Sequence, residues 1–520
     1  MQTLLAVIFI AAALPASDLE TTRGHPSGDS IPTAATNTID ALVYANLQAH
    51  GVVPAAACSD EVFFRRAHLD LLGVLPEAQE VVSFLRDVRP DKRTRCIDAL
   101  TGREEFADYW SLKWCDLLRV KAEFPINLWP NAVQAYHRWI REAIRSNMPY
   151  DAFARTLLTS SGSNFRTPPV NFYRAAQGND PAAIAAAVAL TFMGTRLDAW
   201  PEQRRADMAA FFSRVAFKET DEWKEEIVCL DPAPADPLDA VLPDGTRVRI
   251  SQREDPRVVF ADWLISPDNE WFARNIVNRV WSWLMGRGII HEPDDIRADN
   301  PPVNPELLAY LEAELIQSGY DLRHIYRLIL NSATYQQSSI AQAQDPRAEI
   351  LFACYPVRRL EAEVLRDMLN TLLGTRESYS SMIPEPFTHI PEHQRTVALS
   401  DGSITSAFLE TFGRPPRDTG YESERSNQPT ASQRLYLLNS SEVQRSIANN
   451  RRLRQILEST RGNPRRGIAQ IYLGILSRFP TENEVAVVMQ YLQGGRVTPQ
   501  QAAEDLVWAL INSKEFLYRH

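Results

Sequence analysis

Apolar residues recur at intervals of three and four through most of the chain, and this spacing predicts α-helices. The longest example is EWFARNIVNRVWSWLMG, whose apolar residues on one face are Phe272, Ile276, Val280 and Trp283. Gly286 follows the last apolar position, and glycine commonly ends a helix. The pattern therefore predicts an amphipathic helix that ends at Gly286.

Two stretches lack this helical spacing. Residues 230–254 are rich in proline and place Asp244-Gly245 between short apolar runs, which predicts a linker with a possible short β-hairpin. Residues 378–432 are also rich in proline and only weakly periodic, which predicts a long loop that is either functional or disordered. We therefore expect a mostly α fold, with two helical domains joined by a proline-rich linker.

The amino-terminal residues MQTLLAVIFIAAALPAS resemble a secretory signal, with a short apolar core followed by small residues. No later stretch reaches the roughly 18 apolar residues of a membrane-spanning helix. We therefore expect an exported protein, periplasmic or extracellular, without a membrane span. The expected segments are a signal peptide (1–16), a flexible lead-in (17–38), an N-terminal helical domain (39–229), the linker (230–254) and a C-terminal helical domain (255–520).

Composition excludes some functions. The net charge of −10 over 520 residues argues against nucleic-acid binding, which needs a basic surface to offset phosphate charge. The five cysteines are widely spaced and form no C-x-x-C motif. The usual zinc-ribbon, thioredoxin and c-type haem motifs are therefore missing, and buried free thiols are favoured over disulfides.

Several long motifs resemble a known pair of domains. The N-terminal half contains RRAHLDLLGVLPEAQEVVSFLRD and WCDLLR, and it resembles a cytochrome-c-associated domain of unknown function that is abundant in planctomycetes. The C-terminal half contains ADWLISPDNEWFARNIVNRVWSWLMGRGII, DLRHIYRLILNSATYQQSS, RRLEAEVLRD and QRLYLLNSSEV. It resembles the planctomycete domain that habitually follows the first one.

This resemblance implies an exported, mostly helical protein whose biochemical activity is not established. Genes of this family often lie beside one for an exported sulfatase- or phosphatase-like protein, so the resemblance also implies such a partner. Some longer members carry a haem-binding C-x-x-C-H module. This chain lacks that motif, so we expect no haem cofactor and no electron transfer through a haem of its own.

The best candidate for catalysis follows the long helix. His291, Asp294 and Asp295 lie close together in the segment that we call the acidic loop, His291–Asp295. A histidine beside carboxylates could perform acid–base chemistry. Such a group could also bind a metal, but its spacing does not match H-E-x-x-H, an EF-hand loop or a facial triad, so no metal ligand is assigned. The alternative is a structural loop in which the carboxylates cap helices and pair with arginines.

The best candidate for binding lies on the long helix itself. We call Arg274, Asn275, Asn278 and Arg279 the polar strip. Arginine can contact an anion through two parallel hydrogen bonds, and asparagine offers both a donor and an acceptor. The polar strip could therefore bind an anionic or sugar group. The alternative is that its side chains attach neighbouring loops to the helix.

Three functions remain open at this point. The first is an accessory or binding protein that works with an exported sulfatase-like partner on envelope or environmental polymers such as polysaccharides. The second is a hydrolase-like enzyme with its site between the polar strip and the acidic loop. The third, a redox accessory to separate c-type cytochromes, rests on the resemblance alone.

Overall fold

The structure is a computed structural model, and it describes residues 37–233, 236–342, 345–495 and 497–520. The expected signal peptide, 1–16, and nearly all of the lead-in, 17–38, lie outside the described residues.

Helices fill the N-terminal half. They are α1 (Thr38–His50), α2 (Asp60–Leu72), α3 (Ala78–Arg86), α4 (Lys92–Thr101), α5 (Glu104–Leu117), α6 (Pro130–Arg145), α7 (Tyr150–Thr159), α8 (Asn171–Arg174), α9 (Pro181–Val188) and α10 (Glu202–Ala210). Local signals set their ends. In α1, the Asn37 side chain accepts a hydrogen bond from the Asp40 amide, and Gly51 ends the helix in the left-handed conformation.

The C-terminal half is also helical. Its helices are α11 (Pro256–Leu264), α12 (Phe272–Met285), α13 (Pro305–Gln317), α14 (Leu322–Leu330), α15 (Ala362–Leu373), α16 (Ala407–Thr411), α17 (Ala431–Asn439), α18 (Ser441–Ala448), α19 (Arg451–Ser459), α20 (Pro464–Leu476), α21 (Glu482–Gln493), α22 (Pro499–Ile511) and α23 (Lys514–Leu517). The helix α12 ends at Gly286 as predicted, with φ 73° at that glycine. The expected mostly α fold is confirmed.

The strands are short and pair only in small sheets. They are β1 (Gly162–Ser163), β2 (Val215–Glu219), β3 (Glu226–Leu230), β4 (Leu238–Val241), β5 (Arg247–Ile250), β6 (Arg358–Arg359) and β7 (Tyr518–Arg519). The antiparallel pair β4 and β5 is the predicted hairpin, with Leu238 opposite Ile250. The Asp244 side chain accepts a hydrogen bond from the Thr246 amide in its turn, at 2.8 Å.

One local prediction is wrong. The apolar spacing of residues 206–217 predicts a helix over the whole stretch, but α10 ends at Ala210 and β2 begins at Val215. The strand β2 pairs with β3, which pairs in turn with β1. Pairing with β1 joins residues more than sixty positions apart, so the local spacing carries no sign of it.

The long loop, 378–432, packs against both halves of the chain. Before α17 begins at Ala431, it contains only the short helix α16 and two single turns of 3-10 helix, at Thr396–Ala398 and Glu422–Glu424. Arg414, Arg417 and Arg425 from this loop are nonetheless buried. The loop is therefore part of the interior of the fold.

The structure also bears on the expected lack of a membrane span and on the expected free thiols. Among the described residues, no helix is long and apolar enough to cross a membrane. All five cysteines are free thiols, and burial raises the pKa of Cys115 to about 12. A thiol with such a high pKa is unreactive at neutral pH.

Candidate functional site

The polar strip lies mostly inside the protein. Asn275, Asn278 and Arg279 are fully buried on α12, whereas Arg274 is partly exposed. The Arg274 Nε donates to Glu312 Oε1 on α13 at 2.8 Å. The side chains of the strip therefore point to different neighbours, although they share one helix.

The two asparagines attach neighbouring segments to α12. Asn278 donates to the Ile290 carbonyl at 3.0 Å and accepts from the Ile290 amide at 2.8 Å. Asn275 donates to the Thr191 carbonyl at 2.9 Å. These bonds satisfy backbone groups that burial would otherwise leave without a partner. The asparagines thus perform the structural role that the sequence left open as an alternative.

Asp294 of the acidic loop is the partner of Arg279. Their side chains form an ion pair at 2.7 Å and both are fully buried. The other oxygen of Asp294 accepts from the Glu422 amide at 2.6 Å, which attaches the long loop. Burial lowers the pKa of Arg279, but the charges of Asp294 and Glu422 outweigh it and raise the pKa overall. Arg279 therefore keeps its charge inside the protein, with Asp294 as its ion-pair partner.

The other two candidates of the acidic loop point elsewhere. His291 lies at the surface, with Nε2 at 3.8 Å from Glu292, and Asp295 pairs with Arg297 at 3.1 Å. Burial and the nearby Arg287 lower the pKa of His291. No group of three or more metal-ligating side chains occurs in the described parts of the chain. The structure therefore does not bring His291, Asp294 and Asp295 together, and a catalytic role for them stays a prediction.

A larger set of charges, all buried except the partly exposed Asp116, joins the two halves. We call it the junction network; its residues are Asp70, Lys113, Asp116, Glu361, Glu363, Arg414, Arg417, Arg425 and Arg519. Asp70, Lys113 and Asp116 come from α2 and α5, and the others come from the C-terminal half. Sequence analysis did not identify the network, because its ion pairs link residues far apart in the chain.

Glu361 lies in one part of the junction network. It accepts from Lys113 Nζ at 2.7 Å and from the Tyr109 hydroxyl at 3.1 Å, and it also pairs with Arg519. Arg519 reaches Asp70 as well, at 2.8 Å. Although burial opposes ionisation, the charges of Arg519 and Lys113 hold the pKa of Glu361 well below its usual value.

Arg425 bridges two carboxylates in the other part. Its guanidinium lies 2.7 Å from Asp116 and 2.7 Å from Glu363. Arg417 adds a contact to Asp116 at 2.8 Å, and Arg414 lies 3.3 Å from Glu363. Burial alone would raise the pKa of Glu363, but Arg425 and Arg414 lower it to about 2. The arginines of the long loop are thus held by carboxylates from both halves.

Cations, without acidic side chains among them, line a surface cleft between α17, β6 and the segment around α23. We call it the basic cleft; it encloses a cavity of about 320 Å³. Its cations are Arg359 at the base and Arg434 and Lys514 at the rim. No acidic side chain is among the residues that line it. The cleft is therefore suited to an anion.

Hydrogen bonds hold the side chains at the base of the basic cleft. Arg359 is buried and donates to the carbonyls of Phe412 and Ser426, at 2.6 and 2.8 Å. Its Nε has no partner among the described residues. The Gln433 side chain, also buried, donates to the Thr411 carbonyl at 3.0 Å and accepts from the Thr430 amide at 3.0 Å. Burial lowers the pKa of Arg359, so an anion in the cleft would stabilise its charged form.

The rim of the basic cleft carries two cations. Arg434 and Lys514 are exposed and form no ion pair with any described residue. The sequence contained a hint that Arg434 lacks an acidic partner, since ASQRLYLLN in α17 contains a cation and no acid. The signal was weak, because an exposed lone cation is common on helices.

Comparison with known families supplies two matches in order along the chain. The model of PSCyt2, a protein of unknown function (DUF1549), matches residues 38–216. The model of PSD1, a protein of unknown function (DUF1553), matches residues 256–492. The chain belongs to the planctomycete-type PSCyt2–PSD1 family. No curated protein and no solved structure matches it.

The junction network and the basic cleft draw their residues differently from the two matched segments. The junction network joins the PSCyt2 segment, through Asp70, Lys113 and Asp116, to the PSD1 segment. The basic cleft combines the PSD1 segment with Lys514 and Tyr518, which follow the matched residues. The PSCyt2–PSD1 family itself has no known activity, so a function has to be argued from these sites.

Proposed function

We propose that this PSCyt2–PSD1 protein is an exported binding or accessory protein that holds anionic, sulfated polysaccharides for an exported sulfatase-like partner. The observation that carries the proposal is the basic cleft, where Arg359, Arg434 and Lys514 line a cavity without any acidic side chain. Elsewhere in the fold, buried arginines such as Arg279 and Arg425 already have carboxylate partners.

The chemistry of the basic cleft suits a sulfated sugar. A cavity of about 320 Å³ is at the small end of the roughly 300–1,000 Å³ of typical ligand sites, so it favours one or two sugar units over a large molecule. Guanidinium and ammonium groups bind sulfate oxygens by charge-assisted hydrogen bonds. Phe412 and Tyr518 add aromatic surface, and Asn512 adds a polar group for hydroxyls.

The direct test uses one polymer backbone with and without sulfate. The full chain is run by affinity electrophoresis through gels that contain either dextran sulfate or dextran. We expect retardation by dextran sulfate only, because the cleft recognises the charge and not the glucose backbone. Equal migration in both gels would contradict the proposal.

A charge-matched pair of variants localises the binding. The double substitution Arg434→Gln and Lys514→Gln should weaken binding to dextran sulfate at least tenfold, equivalent to about 1.4 kcal/mol. The control is Arg452→Gln with Lys218→Gln, which removes the same charge from exposed positions outside the cleft. Equal losses in the two variants would show a general charge effect and would reject the basic cleft as the site.

The sulfatase-like partner and the export of the protein are tested separately. The protein is isolated gently from its native cells after mild crosslinking, and co-isolated proteins are identified by mass spectrometry. We expect a sulfatase-like enzyme among them and a mature chain that starts after residue 16. Isolation of the protein without such an enzyme would reject the partner.

A further inference from the structure

A second cavity lies among the last helices of the chain. Its lining is more apolar than that of the basic cleft. The cavity is lined by residues of α19, α20, α21 and α22, is open to solvent on one side and has a volume of about 670 Å³. Most of its lining is apolar, including Ile468, Ile471, Met489, Leu492, Ala503 and Leu506. Its size is well within the range of roughly 300–1,000 Å³ for small-molecule sites.

The helices around this cavity are incompletely packed. Among the residues of α21 only Val485 is buried, and among those of α19 only Leu453 is buried. Met489 and Leu492 of α21 are half-buried and face the cavity. Apolar side chains on an amphipathic helix normally pack against the core, because burial removes them from water. These side chains would gain that burial from an apolar ligand.

The small residues of α20 and α22 help to keep the cavity open. Gly467, Ala502 and Ala503 are buried and line it. Larger side chains at the two alanines would take up part of this space, whereas a Cβ at Gly467 would meet the Thr460 hydroxyl at 3.0 Å. The cavity therefore depends on residues whose replacement can close it without removing a charge.

The lining also carries charge. Arg454 and Arg461 are exposed residues of the lining and form no ion pair with any described residue. Glu458 is the one acidic residue that lines the cavity, so the described lining has an excess of positive charge. An apolar interior beside unpaired guanidinium groups fits a molecule with a hydrocarbon chain and an anionic head.

We propose that this cavity binds a free long-chain carboxylate, with its hydrocarbon chain along Met489 and Leu506 and its head near Arg454 and Arg461. The proposal is independent of sulfated-polymer binding, because the two cavities share no lining residue.

The test is a titration of the full chain with hexadecanoic acid, followed by displacement of a fluorescent fatty acid. We expect saturable binding of one equivalent. Ala503→Phe should weaken it at least tenfold, because the ring fills the cavity. Val487→Phe is the matched control, since Val487 is an exposed residue of α21 outside the lining, and it should leave the affinity unchanged.

A second variant distinguishes loss of binding from loss of the fold. Met489→Trp fills the same cavity from a half-buried position, and its near-ultraviolet circular dichroism reports whether the fold is intact. A folded Met489→Trp variant with wild-type affinity would overturn the proposal. So would the absence of saturable binding to the wild-type protein.

The nature of the head group and its source are tested with two further probes. Hexadecanol should bind at least tenfold more weakly than hexadecanoic acid, and Arg454→Gln with Arg461→Gln should remove that preference. Equal affinity for the alcohol would overturn the carboxylate assignment. Binding to phosphatidylglycerol vesicles without binding to the free acid would overturn the assignment of a free ligand in favour of a membrane surface.

Discussion

The acidic loop and the basic cleft hold charged side chains in opposite ways. In the acidic loop, Asp294 and Arg279 pair with each other inside the protein at 2.7 Å. In the basic cleft, Arg434 and Lys514 have no carboxylate partner among the described residues. Paired charges stabilise the fold and leave little for a ligand, whereas unpaired charges remain available. The density of polar residues in a sequence does not distinguish these two cases.

The largest effect on stability is expected where a buried ion pair of the junction network is broken. Glu361→Gln should lower the free energy of unfolding by roughly 3–5 kcal/mol, because it leaves Lys113 buried without its carboxylate and leaves Arg519 with Asp70 alone. Urea unfolding followed by circular dichroism measures the change. The control Glu482→Gln breaks an exposed pair with Arg465 and should cost less than about 1 kcal/mol. Equal costs would contradict a stabilising role for the network.

The acidic loop should give the next largest effect. Asp294→Asn should cost about 3 kcal/mol, at the low end of the range for a broken buried pair, because Glu422 remains 3.7 Å from Arg279. Asp295→Asn, which weakens a more exposed pair with Arg297, should cost less than about 1 kcal/mol. Thermal unfolding compares the two. If Asp294→Asn abolished a catalytic activity and left stability unchanged, the loop would be a site after all.

The pH dependence of stability should come partly from His68. Burial is the main cause that lowers its pKa from 6.5 to about 4, so the folded protein favours the neutral ring. Its contribution is fully present above pH 6.5 and is lost as the pH falls through 4, by up to about 3 kcal/mol. Unfolding measured from pH 4 to 8 should show this slope, and His68→Gln should reduce it. An unchanged slope in the variant would assign the effect to other groups.

The smallest effect on stability is expected in the basic cleft. Lys514→Gln should change the free energy of unfolding by less than about 0.5 kcal/mol, because the residue is exposed and unpaired. The same substitution should weaken dextran sulfate binding and reduce its dependence on salt. A large loss of stability would show that Lys514 has a structural partner and would remove the contrast with the acidic loop.

The sequence predicted the parts of the fold that depend on neighbouring residues. The helix α12 ends at Gly286 and the hairpin turns at Asp244-Gly245, because short-range turn and cap preferences decide both. The strands β2 and β3 were missed, because KETDEWKEEIV has no clear strand alternation and β3 pairs with the distant β1.

The candidate sites could not be predicted from the sequence in the same way, because they depend on contacts between residues far apart in the chain. Arg417 and Arg425 were visible in the long loop, but their partner Asp116 lies about three hundred residues earlier. The basic cleft likewise combines residues from four separate stretches of the chain. The polar strip was located correctly on its helix, and only its neighbours in space show that Asn275, Asn278 and Arg279 bind other parts of the protein.

The junction network has a consequence for how relatives of this protein can evolve. A carboxylate of one family segment neutralises an arginine of the other, as Asp116 does for Arg425. A recombinant that combined the first segment of one relative with the second segment of another would place mismatched charges where Arg425 is buried. The two segments should therefore be inherited together, and substitutions at Asp116 and Arg425 should be correlated across species.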